Sequence, residues 1–378
     1  MSAAAECVVI GGGLAGAMAG LCLAHAGRDV LLIERERGRH AKVCGEFLSP
    51  EAVGYLRAAA VEPLELGAAA IHGLRVATAR KVVEAELPFA ALSLSRTVLD
   101  EALLARAAEA GCRVRRGVGV EGLAREGGRW TARLADGSTV TGGNVFLATG
   151  KHDLRGWARG AGRQNDLVGF KLHWRLAEAQ TAALRGWMDL FLFRGGYGGL
   201  ALVEDGIANL CLVVRREELR RLGGWEQLLR DLLDANGLVR QRLAGAEALW
   251  ERPLAISAIP YGYLAAREVA GDGLWRLGDQ AAVIPSFTGD GMSIALHSAA
   301  LATECFLRGG SAAEYQAGLV RDLRGGMGLA TGLSRLMVTV AGQRMAPAAL
   351  AVAPGMLGAI ARRTRIPEAA LKQWSVIT

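Results

Sequence analysis

The sequence predicts an α/β fold in which a nucleotide-type domain is interrupted by an antiparallel sheet and followed by a helical C-terminal region. Three stretches carry that prediction. Residues 7–34, CVVIGGGLAGAMAGLCLAHAGRDVLLIE, read as strand, tight turn, helix and strand. Residues 167–214 break into short strands parted by Gly195-Gly196 and Asp205-Gly206. From residue 325 onward the pattern is helical and apolar, with a basic end in RRTR.

In the first stretch Gly11, Gly13 and Gly16 stand in the G-x-G-x-x-G spacing between a strand and a helix. Gly11 allows the tight turn, Gly13 leaves the backbone open to a pyrophosphate, and Gly16 lets the helix pack closely on the sheet. Free N–H groups at the helix start suit phosphates. Glu34, closing the second strand, can accept both hydroxyls of a ribose. The pattern is Rossmann-like and implies a bound dinucleotide. These residues alone leave FAD and NAD open.

The first helix is expected over about residues 14–26, ending at Gly27. A basic segment follows, with Arg35, Arg37, Arg39 and Lys42 around the adenosine end; for each, a phosphate contact and a solvated loop are both open. Cys44-Gly45-Glu46 interrupts this segment. The lone Cys44 has no C-x-x-C partner, so it reads either as a residue near a reaction centre or as packing. Glu46 reads as a surface or helix-flanking carboxylate before it reads as a pocket acid. Ser49-Pro50-Glu51 marks a helix start.

Period-two alternation over 71–92 predicts a strand or hairpin outside the nucleotide fold. A helix begins near residue 97, with Arg96 at its head, placed either to reach a pyrophosphate or to pair with Asp100 four residues on. A hairpin turning at Asp136-Gly137 leads into a buried strand ending at Gly150. In LVGFKLHWRL, Phe170, Leu172 and Trp174 alternate with Lys171, His173 and Arg175, which predicts a half-buried strand. A helix is expected near 225–235. LWRLGD ends a strand at Gly278-Asp279, where Asp279 suits a polyol hydroxyl, and Pro285, Gly289 and Gly291 shape a turn into a long helix. Asp290 reads as that helix's cap, and His297 as structural or solvent-facing.

Composition bounds the function. The chain has 378 residues, 51% of them hydrophobic and 21% charged, enough for an extended core. Its net charge of +7, from 44 basic and 37 acidic residues, is too diffuse to indicate nucleic acid. Six scattered cysteines form neither a metal pattern nor a disulfide scaffold. No basic leader precedes the first strand, and no charge-free run of about 18 strongly apolar residues occurs, so a cytoplasmic location is expected.

Taken together, GGGLAG with Glu34, SRTVLDEAL and LGDQAAVIPSFTGDGMSIALHSA resemble the FAD-dependent group related to p-hydroxybenzoate hydroxylase, and in particular its geranylgeranyl-reductase-like branch. The resemblance covers about the first 310 residues and implies a glutathione-reductase-type, Rossmann-like FAD-binding domain with an inserted antiparallel sheet. The expected division is 1–70, 93–160 and 268–310 for FAD, 71–92 and 161–267 for substrate, and 311–378 for the helical region. It implies that Gly11, Gly13 and Gly16 hold the pyrophosphate of FAD, Glu34 the ribose, and Arg96 the side of the cofactor. It further implies Val120 at the adenine, Asp279 at the ribityl or pyrophosphate region, and Pro285 to Met292 along the isoalloxazine. KVCGEFLSP is similar to the cysteine-glycine loop of geranylgeranyl reductases, beside flavin and substrate, and Tyr261 and Tyr263 occupy a region comparable to their aromatic substrate motif. Cys44, Tyr261 and Tyr263 are therefore the expected catalytic residues.

One departure concerns the electron donor. Hydroxylases of the group carry Asp-Gly after the buried strand, whereas Asp153 here precedes Leu154. NAD(P)H stays a candidate donor, beside a separate reductase or carrier protein. The implied activity is monooxygenation of a hydrophobic or aromatic small molecule through reduced flavin and a C4a-hydroperoxide. The alternatives are double-bond reduction of the geranylgeranyl-reductase type and a flavin-carrying electron-transfer or interaction protein. The apolar, basic C-terminal region is expected to cover a greasy pocket, touch a membrane surface or close a homodimer of an otherwise monomeric protein.

Overall fold

In the computed structural model, residues 2–79, 81–265, 273–345 and 355–371 are described. The chain begins with β1 (Ser2–Ile10), α1 (Leu14–His25), β2 (Val30–Glu34), β3 (Phe47–Leu48), α2 (Pro50–Ala58), β4 (Ala69–Ala77), β5 (Val82–Ser93) and α3 (Arg96–Glu109). It continues through β6 (Arg113–Arg116), β7 (Val120–Glu126), β8 (Arg129–Leu134), β9 (Thr139–Leu147) and β10 (Leu167–Arg175). Next come α4 (Glu178–Leu184), β11 (Gly186–Phe193), β12 (Gly196–Leu202), β13 (Ala208–Arg215), α5 (Arg216–Leu222), α6 (Trp225–Ala235) and α7 (Gly237–Leu243). Short strands β14 (Glu247–Ala248), β15 (Leu254–Ser257), β16 (Tyr263–Leu264), β17 (Leu274–Arg276) and β18 (Ala282–Val283) precede the closing helices. These are α8 (Gly291–Leu307), α9 (Ala312–Met337), α10 (Gly355–Arg363) and α11 (Glu368–Leu371).

Two sheets organise these elements. The first runs β6-β2-β1-β9-β8-β7, with β17 added on β9. Its centre is parallel, β1 pairing with β2 and β9 and β9 with β17, while β7 and β8 form the antiparallel flank. β2 is buried at every position because helices cover one face and a smaller apolar cluster covers the other. α1 is apolar almost all round, as a helix enclosed by a sheet, α3 and α8 must be. Trp275 of β17 stacks on Phe146 of β9 at 5.6 Å and fills the layer beneath α8 and α9.

The second sheet runs β14-β10-β13-β12-β11-β4-β5-β3, with β15 on β10. It is antiparallel except for β4 and β11, which run parallel. β4 and β5, far upstream, thus join the strands of 167–257 in one sheet. The edge strand β3 comes from the loop after Cys44, so the upstream segment also contributes to this sheet. Helices α6 and α7 cover one face through Leu228, Leu232 and Val239.

Helix starts follow their local chemistry. Ser49 accepts from the Ala52 N–H at 3.4 Å with Pro50 in the first turn, and Ser95 accepts from the Val98 N–H at 3.3 Å. Ser311 and Glu314 close a reciprocal capping box on α9. Among the described residues, no helix is long and apolar enough to cross a membrane.

Candidate functional site

A cavity of about 830 Å³ lies between the two sheets and reaches the C-terminal helices. At its nucleotide end the glycines do what only glycine can. Gly11 sits at φ +106°, and a Cβ there would lie 2.4 Å from the Ala148 carbonyl oxygen. A Cβ on Gly16 would lie 1.8 Å from the Gly11 oxygen, so this glycine sets the closeness of α1 to β1 without lining the cavity. Gly13 lines it, and a Cβ there would point at the Lys42 Nζ (3.2 Å) and the Arg96 Nη2 (3.5 Å). No side chain caps α1.

Lys42 and Arg96 are held in place by Asp100. Lys42 Nζ donates to Asp100 Oδ2 at 2.7 Å, while Arg96 donates from Nε to Oδ1 at 2.7 Å and from Nη2 to Oδ2 at 3.0 Å. Burial alone would raise the Asp100 carboxyl, but the two cations hold it below the usual range. Two cations on one carboxylate, beside an uncapped helix start, leave net positive charge for a diphosphate. Arg96 therefore makes the i, i+4 pair and lines the cavity at once. Glu34 is buried, accepting from the Gly12 N–H at 2.6 Å and the Glu36 N–H at 2.8 Å. Arg35 and Val120 line the same end.

Toward the other end, Asp279 lines the cavity with its Oδ2 3.7 Å from the Lys151 Nζ. Gly289, at φ +73°, has no room for a Cβ, which would lie 2.5 Å from the Phe47 ring, whereas Gly291 and Gly45 face open space. Gly291 and Met292 line the cavity and begin α8; Pro285 shapes the turn without lining it. Asp290 does not cap α8 as its position suggests. Its side chain accepts instead from Arg365 Nη1 at 2.7 Å, tying the segment after α10 to the head of α8. Burial pushes the Asp290 carboxyl up to about 7, with Arg365 opposing the rise.

Cys44 and Tyr261 both line the cavity, whereas Tyr263 lies behind it, buried against Val283 and Ile259. The Arg96 guanidinium neighbours the Cys44 side chain. Cys44 Sγ accepts from the Glu46 N–H at 3.4 Å, and its carbonyl accepts from Asn209 Nδ2 at 3.1 Å. Burial raises the Tyr261 hydroxyl well above its ordinary value.

Glu46 differs most from its sequence reading. It is fully buried at φ +59°, accepting from Lys171 Nζ, from the Arg96 N–H at 2.8 Å, and pairing with His173 Nε2 at 3.0 Å. Burial would raise its carboxyl, but His173 and Lys171 bring it below the ordinary carboxylate value. Lys171 and His173 are buried as well, His173 stacking on Trp250 at 4.7 Å. β10 is thus covered on both faces rather than half exposed, by α6 on one side and the 43–46 loop on the other. His297 is fully buried between the Tyr55 hydroxyl (2.7 Å) and Asp322 (3.2 Å), so its role is structural.

The described residues fit FAD: a glycine turn, a buried acid at the end of β2, a cationic cradle and open-faced glycines at the far end all line one space. A model of the FAD binding domain matches residues 4–145. The chain is an FAD-dependent oxidoreductase. It is 29% identical to the menaquinone reductase of Mycolicibacterium smegmatis over 331 residues, 82% of this chain and 78% of that protein. It is 27% identical to digeranylgeranylglycerophospholipid reductase 2 of Methanopyrus kandleri over 318 residues, 79% of this chain and 76% of that protein. Among solved structures, the flavin-dependent brominase Bmp2 superposes with a TM-score of 0.78 at 16% identity, covering 96% of this chain and 93% of that one. This last likeness is one of fold.

Proposed function

We propose that this flavoenzyme reduces a carbon–carbon double bond in a long, isoprenoid-like hydrophobic substrate. The observation that carries the reading is the wall beyond the flavin end. From Cys44 the cavity passes Leu192, Val213 and Ile256 and reaches Leu336 and Met356, a lining of aliphatic side chains. Such a wall suits a flexible hydrocarbon chain, whereas a phenol to be hydroxylated calls for a charged or strongly polar anchor on its ring oxygen. The names of the two reductases support the same direction, one naming menaquinone and the other a digeranylgeranylglycerophospholipid as what is reduced. Hydroxylation, the activity the resemblance puts first, becomes the alternative outcome of the test.

FAD, when bound, supplies the hydride at its N5. The chain's own contributions are orientation, exclusion of water and a proton. The Lys42–Arg96–Asp100 cluster and the head of α1 would hold the diphosphate, and Glu34 the ribose. The aliphatic wall would place the alkene and keep water from the reacting carbons. Cys44 and Tyr261 are two of the side chains lining the cavity that can carry a proton, along with Tyr197 and Cys211. Cys44 or Tyr261 can deliver the second hydrogen to the neighbouring carbon.

The test uses FAD-loaded protein reduced anaerobically with just enough dithionite to bleach the flavin and mixed with a polyprenyl alcohol, whose only reducible groups are its alkenes. The expected result is flavin reoxidation matched by a product heavier by one H₂, with Cys44→Ala slowing it by about 100-fold while the flavin spectrum stays intact. Reoxidation only after oxygen is admitted, with an oxygenated product, would overturn the reading.

A further inference from the structure

The aliphatic arm of the cavity reaches the surface at the end of α9 and the helical segment 340–345 beyond it. Leu336 and Met345 line the cavity and are also 48% and 64% exposed, and Val340 between them is 53% exposed. An interior wall thus continues as an outer apolar rim. Across the opening stands α10, whose Met356, Leu357 and Ile360 line the same cavity.

The charge carried by the rim's own segment of chain has one sign, while β5, which packs on α10, carries the acids Glu84 and Glu86. Residues 323–367 contain six arginines and neither Asp nor Glu. Five of them, Arg324, Arg335, Arg344, Arg362 and Arg363, are exposed, and no carboxylate among the described residues pairs with any of them. Arg335 and Arg344 directly flank the exposed Leu336 and Met345 in the chain. The other surface arginines of the molecule are commonly paired, as Arg28 is with Glu6, Arg57 with Glu62 and Arg113 with Asp29. Exposed aliphatic side chains interleaved with unpaired cations match the two layers of an anionic membrane surface, acyl boundary and phosphate headgroups.

We propose that this rim docks the protein on an anionic lipid bilayer, so that a membrane-dissolved substrate enters the aliphatic arm without crossing water. The inference deepens the reduction reading and rests on it for the nature of the substrate. The docking itself is measured without turnover. No described helix spans a bilayer, so the contact is peripheral. Arg335 and Arg344 serve as electrostatic attachment, and Leu336, Val340 and Met345 enter the acyl boundary.

The experiment is co-sedimentation of the full-length, FAD-loaded protein with phosphatidylcholine vesicles, with or without phosphatidylglycerol, at low and high salt. Binding is expected to the anionic vesicles and to fall with salt. Arg335→Gln and Arg344→Gln should each weaken it about fivefold. Leu336→Ser with Met345→Ser should weaken it further, with the melting temperature and flavin spectrum unchanged because these side chains are exposed. No sedimentation with either vesicle, binding indifferent to all four substitutions, or a vesicle-independent dimer dispersed by Leu336→Ser would each overturn the proposal. A protein that docks as expected but reduces no alkene leaves the docking standing and removes only the reduction reading.

Discussion

Glu46 is the residue on which the two sheets meet. It leaves the loop of the nucleotide domain in a left-handed conformation, uncommon for a residue with a Cβ, and its carboxylate is fixed by Lys171 and His173 of β10. Removing one member leaves the other buried and unpaired. Glu46→Ala is expected to cost about 3–5 kcal/mol in urea unfolding, and Glu46→Met combined with Lys171→Met should recover most of that. The carboxyl of Glu46 is lower in the folded chain than its ordinary 4.5, so its contribution is present above that value and is lost as pH falls through the folded one. Asp290 runs the other way. Its folded value of about 7 stands above the ordinary 3.8, so the unfolded chain loses this proton first as pH rises. Stability should then decline from pH 4 to about 7 and level off, a slope on the order of 4 kcal/mol in total. Melting temperatures across that range should show the decline in the wild type and not in Asp290→Asn, whatever the variant's absolute stability.

At the scale of elements, the glycine turn separates two failures. Gly16→Ala puts a methyl group into the Gly11 carbonyl, a backbone clash that no rotamer relieves, so the β1–α1 crossing opens and soluble protein is lost. Gly13→Val should spare the fold and fill the cradle beside Lys42 and Arg96 instead, weakening FAD by tenfold or more (about 1.4 kcal/mol) in a fluorescence titration. The packing role of Gly16 was legible in the sequence because its Cβ contact is with Gly11 in the same turn, whereas the Lys42 and Arg96 that face Gly13 come from far along the chain. The start of α2 was legible for the same reason, since a serine cap acts within three residues, while the Ser95 cap of α3 went unread. β10 was not. Its alternation is real, but period two says only which residues share a face, not whether a face is covered, and the loop that covers Lys171 and His173 lies more than a hundred residues upstream. Asp290 misled for a related reason: its position is that of a cap, but Arg365, far down the chain, takes the carboxylate. Tyr261 and Tyr263 show the limit of a pair read in one dimension, because Gly262 between them turns the chain at φ +76°, Tyr261 bridges to Gln164 while Tyr263 pairs with Val283 of β18, and the cavity receives just the first.

For the whole molecule, the question is whether two sheets with separate apolar cores behave as one folding unit. The cavity walls come from both sheets, and the loop carrying Cys44 and Glu46 ends in β3 on the second sheet while its Lys42 belongs to the cradle of the first. FAD bound in that space would be held by residues of the nucleotide sheet, and this loop would pass the constraint to the second sheet. At a free concentration of about 100 times Kd, it should stabilise the native state by about 2.7 kcal/mol. If the loop couples the sheets, calorimetry of the FAD-loaded protein shows a single transition, and removing flavin lowers it as a whole. If the sheets are independent, removing flavin lowers one transition and leaves a second in place. Glu46→Ala discriminates further, because it cuts the buried link while the Lys42–Arg96–Asp100 side-chain contacts stay, the cradle losing only the hydrogen bond from the Arg96 N–H. In that variant FAD should still bind through Gly13, Lys42 and Arg96, but its stabilisation should reach only the nucleotide sheet, and the single transition should split in two.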